Sequence, residues 1–151
     1  MNNKYSLITG GTAGIGLDIA KELAKRGHNI LLTARREERL KEISASIKEE
    51  FNVDCNYIAA DLADASAPEM IYNFCSENNY IVEILVNNAG YSINKKFHET
   101  GEDEEEKFLR VLGIAVVALT KKFIPSMLEQ KHGKIMMVSS LASFAPPSSG
   151  W

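Results

Sequence analysis

The chain has 151 residues, of which 45% are hydrophobic and 25% charged, and its formal net charge is -3. This is the composition of an ordinary globular domain, and the lack of a basic excess argues against a nucleic-acid partner. The longest apolar run, from Val111 to Leu119, is interrupted by Gly113 and is too short to span a bilayer. The amino terminus lacks the apolar stretch of a signal peptide. We therefore expect one cytoplasmic domain over residues 1–151, with no membrane partner.

Short apolar segments alternate with longer amphipathic segments along the chain, which predicts strands that alternate with helices. The predicted strands are Tyr5–Thr9, Asn29–Thr33, Cys55–Ala60, Ile81–Val86 and Lys134–Val138. The first predicted helix begins near Gly14 and ends at Gly27, the second contains Leu40, Ile43, Ile47 and Phe51, and the third contains Met70, Ile71, Phe74 and Cys75. This alternation predicts an α/β fold, a doubly wound, Rossmann-like parallel sheet of five strands in the order 3-2-1-4-5. The last strand is expected at an edge.

The fourth predicted helix is the longest, over about residues 102–130. Thr100 and Asp103 have the spacing of a capping box at its start. The acidic run Glu102–Glu106 is interpreted as a solvated first turn, since negative charge suits a helix amino end, rather than as a metal site. Pro125 is expected to end or kink this helix. Cys55 and Cys75 lack metal-ligand spacing and are expected to be buried reduced thiols.

A glycine-rich segment, Thr9–Gly16, lies where the first strand passes into the first helix. Glycines allow unusual backbone angles and close approach of a ligand, and a helix amino end presents N–H groups that favour an anion. The segment therefore predicts a pyrophosphate site made by Gly10, Thr12, Ala13, Gly14, Ile15 and Gly16. A P-loop is disfavoured, because Leu17 and Asp18 stand where that motif needs Lys followed by Ser or Thr.

The end of the second strand reads Thr33-Ala34-Arg35-Arg36 and has no acid before Glu37. Dinucleotide sites that prefer NAD place a carboxylate here for the ribose 2′-hydroxyl, whereas NADP sites use arginine for the 2′-phosphate. Arg35 and Arg36 therefore favour NADP(H), with NAD(H) less favoured and Arg35 expected to contribute more. The alternative is that both arginines simply begin a charged helix.

The Thr-Gly-x-x-x-Gly-Ile-Gly pattern over Thr9–Gly16, the tetrapeptide Asn87–Gly90 and the segment Val138–Ser140 together resemble the short-chain dehydrogenase/reductase family. The resemblance implies an NADP-dependent oxidoreductase that transfers hydride between nicotinamide and a small-molecule carbonyl or secondary alcohol. It also implies a possible homo-oligomer, since relatives commonly dimerise through the long helix and the helix after it, the second of which this sequence lacks. By the same resemblance Ser140 is the catalytic serine, and the cofactor contacts include Asp61 and Leu62 beside adenine together with Asn88, Ala89 and Gly90.

Two departures from the family pattern limit this interpretation. Leu112 stands where relatives carry an asparagine of the proton relay, and no tyrosine follows Ser140. Relatives carry a Tyr-x-x-x-Lys segment there, in which the tyrosine is the general acid/base. We therefore expect a Rossmann-like domain that is incomplete at its carboxyl end and inactive alone. No metal site is expected, and His28, His98 and His132 lie outside any catalytic motif, as the sequence shows.

Two other function classes remain as alternatives. The first is a non-catalytic NADP(H)-binding module or partner subunit, which Leu112 and the lack of a downstream tyrosine favour. The second is methyl transfer from S-adenosylmethionine on a similar sheet, which is disfavoured because such a site usually needs an acid after the second strand.

Overall fold

The computed structural model describes residues 3–144. The strands are β1 (Lys4–Thr9), β2 (Asn29–Ala34), β3 (Cys55–Ala59), β4 (Ile81–Asn87) and β5 (Lys134–Met137). The helices are α1 (Gly14–Lys25), α2 (Glu37–Phe51), α3 (Ala67–Glu77), α4 (Glu102–Leu109) and α5 (Ala115–Glu129), with a π-helical segment (Arg110–Ile114) between α4 and α5. The predicted element types are confirmed, and each predicted strand agrees with the structure at one end and differs by one residue at the other, which is within the usual fraying of element ends.

The strands form one parallel sheet in the order β3-β2-β1-β4-β5, as predicted. Leu7 in the middle of β1 pairs with Leu31 of β2 on one side and with Leu85 of β4 on the other. All three leucines are fully buried. The central strands read as continuous apolar runs because helices cover both faces of a parallel sheet. β5 lies at one edge, as expected.

Two apolar clusters fill the spaces on the two faces of the sheet. On one face α1 and α2 pack against the strands, and the fully buried side chains there include Ile8, Ile30, Leu32, Leu40 and Ile47. On the other face α3 and α5 pack, and the buried side chains there include Leu7, Leu31, Ile71, Leu85, Leu119 and Phe123. The sheet is thereby held rigid, so that the loops at its carboxyl end are fixed relative to one another.

The long helix differs from its prediction at two places. It continues through Pro125 to Glu129, so the expectation that proline ends it is wrong. Pro125 lacks an N–H for the carbonyl of Lys121, but both residues are exposed, so water can bond that carbonyl. The π-helical segment Arg110–Ile114 was not predicted, because apolar spacing alone does not distinguish a single wide turn from α-helix.

The capping box predicted at the start of α4 is also wrong. The N-cap is Gly101, and no side chain caps the helix. Thr100 instead donates its hydroxyl to the Phe97 carbonyl at 2.6 Å and contacts Glu105. The Asp103 carboxylate accepts from the Lys107 ammonium at 2.7 Å, one turn further along the helix. Because the Thr100 and Asp103 side chains bond to other partners, they do not form the reciprocal hydrogen bonds of a capping box.

Among the described residues, one helical stretch, Glu102–Glu129, is long and apolar enough to cross a membrane by length and composition alone. One of its faces packs against the sheet and α3, where Val111, Ala115, Leu119 and Phe123 are buried. These residues recur every four positions, which is the pattern of a core helix with one covered face.

Both cysteines are free and buried, as expected. Burial raises the pKa of the Cys55 thiol to about 11 and that of the Cys75 thiol to about 12. Both thiols are therefore protonated at neutral pH and poorly reactive.

Candidate functional site: a nucleotide cleft at the carboxyl ends of the strands

A cleft of about 1190 Å³ opens where the strands end and the helices begin. Ligands of doubly wound sheets bind at this edge. The cleft is lined by every residue that the sequence placed in the site, namely Gly10, Thr12, Ala13, Gly14, Ile15, Gly16, Arg35, Arg36, Asp61, Leu62, Asn88, Ala89, Gly90 and Ser140. Residues spread over most of the chain are thus brought to one surface.

The glycine-rich turn presents the amino end of α1 to the cleft. Gly10 has φ of 68° and Gly14 has φ of 52°, so both adopt left-handed backbone conformations that favour glycine. Helix α1 begins at Gly14, and its N-cap Ala13 has no side-chain hydrogen bond to the first turn. The first N–H groups of the helix are therefore left for an anion rather than for a capping side chain, which fits a pyrophosphate.

The side chain of Asn88 ties the glycine turn to the end of β4. Its Nδ2 donates to the carbonyl oxygens of Thr9 at 2.9 Å and Gly10 at 3.3 Å. A Cβ added to Gly16 would lie 2.5 Å from the Gly10 oxygen and would also collide with the Asn88 amide. The third glycine of the motif is therefore required by packing of protein on protein.

Thr9 is a site residue that the sequence interpretation missed. Its Oγ1 accepts from the backbone N–H groups of Asn88 and Ala89, each at 3.0 Å, and donates to the Val86 carbonyl at 3.3 Å. One buried hydroxyl thus fixes the course of the chain as it leaves β4. The sequence shows a threonine directly before the first glycine of the motif. It does not show that this threonine bonds to the segment after β4, because that segment is distant along the chain.

We expect Gly16→Ala to lower the free energy of unfolding by about 1–3 kcal/mol, the usual cost of forcing extra atoms into a packed site. The added methyl must displace the Asn88 amide, whose bonds hold the turn. Urea unfolding followed by circular dichroism measures the change. Gly113→Ala is the matched control, because a Cβ there meets nothing within 4 Å and the residue lies inside the helical stretch, where alanine is favourable. Equal midpoints for the two variants would contradict the packing role of Gly16.

Two arginine side chains give the cleft a positive rim at the end of β2. Arg35 and Arg36 are both exposed, and within residues 3–144 neither takes part in an ion pair. Ala34 precedes them and contributes no charge, while Glu37 and Glu38 lie in the first turn of α2. The guanidinium groups are therefore available to an external anion, and arginine matches the geometry of phosphate.

Another part of the cleft lining combines an acid, a cation and apolar side chains. Asp61 is exposed, and its Oδ1 accepts from the Ala63 N–H at 3.0 Å, which fixes the loop after β3. Leu62 beside it is 7% exposed. Lys107 and Phe108 of α4 line the same cleft and were not predicted from the sequence. No motif singles them out, because their place depends on how α4 packs.

Ser140 lies in the cleft just after β5. Its Oγ accepts from the Ala142 N–H at 3.1 Å, a bond that orients the hydroxyl, and among residues 3–144 the hydroxyl proton is donated to no other group. Leu112 also lines the cleft, is 42% exposed and belongs to the π-helical segment. The leucine therefore adds apolar surface to the cleft.

The remaining polar candidates are placed elsewhere or are structural. Nδ2 of buried Asn87 donates to Thr120 Oγ1 at 3.3 Å, which ties β4 to α5. His28 and His132 both lie near Glu83 in the first half of β4, away from the cleft. Residues 3–144 contain no group of three or more His, Cys, Asp or Glu side chains arranged to hold a metal ion.

A sequence model of the family described as short chain dehydrogenase matches residues 4–150. The chain belongs to that family. The match covers nearly all of the sequence and includes each motif that lines the cleft, so the fold, the motifs and the family assignment agree. Relatives in this family of oxidoreductases act on alcohol or carbonyl groups and bind a nicotinamide cofactor.

Two relatives illustrate the similarity in sequence. The chain is 33% identical over 147 residues to a fatty acyl-CoA reductase of Acinetobacter baylyi, covering 96% of this chain and 50% of that protein. It is 34% identical to a very-long-chain 3-oxoacyl-CoA reductase of Rattus norvegicus, covering 95% of this chain and 46% of that protein. The chain therefore spans about half the length of the curated relatives that it matches.

Solved structures agree with this assignment. An L-sorbose reductase of Gluconobacter frateurii complexed with NADPH and L-sorbose has a TM-score of 0.91 and 32% identity, covering 97% of this chain and 56% of that one. A short-chain dehydrogenase of Sphingobium yanoikuyae in complex with NADPH has a TM-score of 0.87 and 29% identity, covering 95% and 56%. The fold of this chain thus matches a little more than half of each of these oxidoreductases.

Proposed function

We infer that this chain forms the cofactor-binding part of an NADP(H)-dependent oxidoreductase that acts on a small-molecule carbonyl or secondary alcohol. One observation carries the choice of NADP(H): two arginines that have no ion-pair partner within residues 3–144 follow β2, where Ala34 stands in place of a carboxylate. A carboxylate there would repel a 2′-phosphate, whereas a guanidinium binds it. The NADPH complexes named for two structural relatives support the same choice.

The residues of the cleft fit each part of such a cofactor. The uncapped amino end of α1 is suited to the pyrophosphate, and Arg35 with Arg36 to the 2′-phosphate. Asp61 and Leu62 lie where the resemblance puts adenine, and the backbone of Asn88, Ala89 and Gly90 continues the cleft toward Ser140. These segments follow β3, β2, β1, β4 and β5, which is the order of the strands across the sheet, and a dinucleotide laid across the strand ends would meet them in the same order.

Bound nicotinamide supplies or accepts the hydride in such a reaction. The role of Ser140 is to donate its unused hydroxyl proton as a hydrogen bond to the substrate oxygen, where negative charge develops. The proton itself must come from an acid, and in the family that acid is a tyrosine downstream of the serine. The complete activity therefore needs polypeptide that the 151 residues do not include.

A non-catalytic NADP(H)-binding module, or a subunit that pairs with another chain, is the second candidate. Leu112 favours it, because an apolar side chain in the cleft cannot position a relay water. Both candidates share the nucleotide site and differ only in turnover. A cytoplasmic location, one domain over residues 1–151, and the absence of membrane and nucleic-acid partners are parts of the proposal that rest on composition.

A homo-oligomer is also part of the proposal. Ile114 and Val117 of the long helix are 52% and 66% exposed, and Leu128 is 72% exposed. Exposed apolar side chains on one helix are typical of a surface that another subunit covers. Size-exclusion chromatography with light scattering gives the oligomeric state directly.

The proposed cofactor is tested by binding. We expect the unmutated chain to bind NADPH at least about tenfold more tightly than NADH, since charge-assisted bonds to the 2′-phosphate are present only in the former. Fluorescence titration of each reduced cofactor measures the two dissociation constants. Repeating the titration at high salt should reduce the ratio of the two dissociation constants, because salt screens the charge of exposed arginines. Equal affinities at low salt would overturn the assignment to NADP(H).

A further inference from the structure

Strand β5 leaves one edge of the sheet open. Among the described residues it pairs with β4 alone, from Lys134 beside Ile84 to Met137 beside Asn87. Met136 and Met137 are 47% and 52% exposed, so the helices cover neither side chain fully. The strand contains no proline, and its one charged residue is Lys134. Such an edge strand presents unpaired backbone groups on which another chain can add a strand.

The backbone groups that face the open edge can be identified. The Val138 N–H donates to the Asn87 carbonyl at 2.9 Å, so the backbone groups of Val138 are directed toward β4. Because these directions alternate along a strand, Met136 also faces β4, whereas Ile135 and Met137 direct their N–H and C=O groups outward. Within residues 3–144 these two residues have no strand partner on the outward side.

A second copy of the chain fits this edge in antiparallel orientation. A twofold axis through Met136 sets Ile135 opposite Met137 of the second copy, and residues in that position exchange both of their N–H···O bonds. Met136 then lies opposite Met136 of the second copy. Lys134 lies opposite Val138 of the second copy, so no like charges meet along the paired strands.

An apolar groove of about 430 Å³ lies beside the same edge. It is lined by one side of α5 within residues 116–125 and by Met137 of β5, and Lys121 is the only charged residue among the lining residues. A twofold axis perpendicular to the sheet keeps α5 of both copies on the same face of the joined sheets. Each groove therefore borders the second copy.

The segment after β5 carries apolar side chains that suit this groove. Leu141 and Phe144 are 85% and 89% exposed, and no residue from 138 to 144 is charged. With Val138 opposite Lys134 of the second copy, this segment runs past the start of the second β5, toward the carboxyl half of the α5 that precedes it. The two side chains can be buried there without bringing a charge into the groove, which favours association.

We propose that the 151-residue chain dimerises through the β5 edge, with β5 of the two copies antiparallel and with Leu141 and Phe144 of each copy packed in the α5 groove of the other. The inference rests on the homo-oligomer in the proposed function and assigns it a surface, which differs from the outer face of the long helix at Ile114. It does not involve the nucleotide, so the dimer and the cofactor assignment succeed or fail independently.

Sedimentation velocity over a range of protein concentrations is the first test. The mass should rise from the 16.7 kDa of one chain to that of two, with a dissociation constant of about micromolar order, as for a small interface. Hydrogen exchange measured by NMR gives the register. The Ile135 and Met137 amides should exchange more slowly as the dimer forms, whereas the Met136 amide, which faces β4, should be protected at every concentration.

A charge exchange at Met136 tests the twofold axis. Met136→Lys and Met136→Glu should each weaken self-association about tenfold, because like charges then oppose each other across the axis. An equimolar mixture of the two variants should associate again, since lysine then opposes glutamate. Met70→Lys is the matched control: Met70 is 43% exposed on α3, away from the edge, and should leave the dimer unchanged. Thermal unfolding verifies that each variant is folded.

The outcomes separate the possible occupants of the edge. A chain that stays monomeric at every concentration overturns the inference, and slow exchange of the Ile135 and Met137 amides in that monomer would mean that another part of the same chain covers β5. A dimer that Ile114→Lys dissociates, but both Met136 variants leave intact, would assign the interface to the outer face of the long helix. Weakening in each Met136 variant with recovery in their mixture supports the inference. NADPH binding by a monomeric chain leaves the cofactor assignment standing and overturns only the dimer.

Discussion

The 151-residue chain, assayed alone with NADPH and a panel of ketones and aldehydes, should reduce none of them above background. Ser140 can orient a carbonyl oxygen, but hydride transfer produces an alkoxide that requires a proton from a positioned acid. General acid catalysis typically supplies about a hundred- to ten-thousandfold, and no tyrosine follows Ser140 in this sequence. The measurement is NADPH consumption, with product identified by mass spectrometry.

A longer protein that carries Tyr-x-x-x-Lys after these residues provides the control. We expect turnover to appear there, and Ser140→Ala to lower kcat by about a hundred- to a thousandfold, as when one donor to a developing oxyanion is removed. Ser143→Ala is the matched control for Ser140→Ala, since it removes a hydroxyl from the short helical turn that Ser140 caps. Turnover by the 151-residue chain that survives repurification and disappears with Ser140→Ala would show that another residue is the acid.

Arg35→Asp should reduce the preference for NADPH over NADH by about a hundredfold or reverse it. The change removes a guanidinium from the rim of the cleft and introduces a carboxylate, which repels a 2′-phosphate and can accept from a 2′-hydroxyl. Fluorescence titration of both cofactors gives the ratio. NADPH affinity should fall and NADH affinity should rise, so the two effects multiply in that ratio.

Arg36→Asp is the matched control for this prediction. It changes the net charge by the same amount at the next residue. We expect a smaller change in the ratio of NADPH to NADH affinity, because Arg36 is the N-cap of α2 and lies one residue further from the end of β2. Equal changes in the two variants would mean that the preference follows the general charge of the rim and not one contact. An unchanged ratio in Arg35→Asp would place the 2′-phosphate elsewhere.

The fold could be predicted from the sequence because its local signals agree with one another. Apolar strands alternate with amphipathic helices, and the glycine turn marks the first strand-to-helix passage, so the strand order and the edge position of β5 followed. The π-helical segment and the continuation of the helix through Pro125 could not be predicted from these signals. In each case a backbone carbonyl loses its usual α-helical hydrogen bond. Whether water or neighbouring side chains can compensate for that loss is not visible in a pattern of residue types.

The cleft could be predicted where a motif is contiguous along the chain. Thr9 and Lys107 were missed because the residues they meet in the structure are distant from them along the chain. Thr9 bonds to Asn88 and Ala89, 79 and 80 positions away, and Lys107 lines the cleft only because the fold brings α4 to it. Such partners are brought together by the sheet, so their roles become visible only in three dimensions.

The contact of Asn88 with the glycine turn also bears on how this sequence can change over time. Gly10, Gly16 and Asn88 occupy one small volume, in which Cβ atoms at either glycine would meet the Asn88 amide. Substitution at one of the three therefore alters which residues are tolerated at the others, as expected for residues in direct contact. Descendants with a larger residue at position 16 must shift both the Asn88 amide and the Gly10 carbonyl, and thereby weaken the bonds that join the glycine turn to the end of β4.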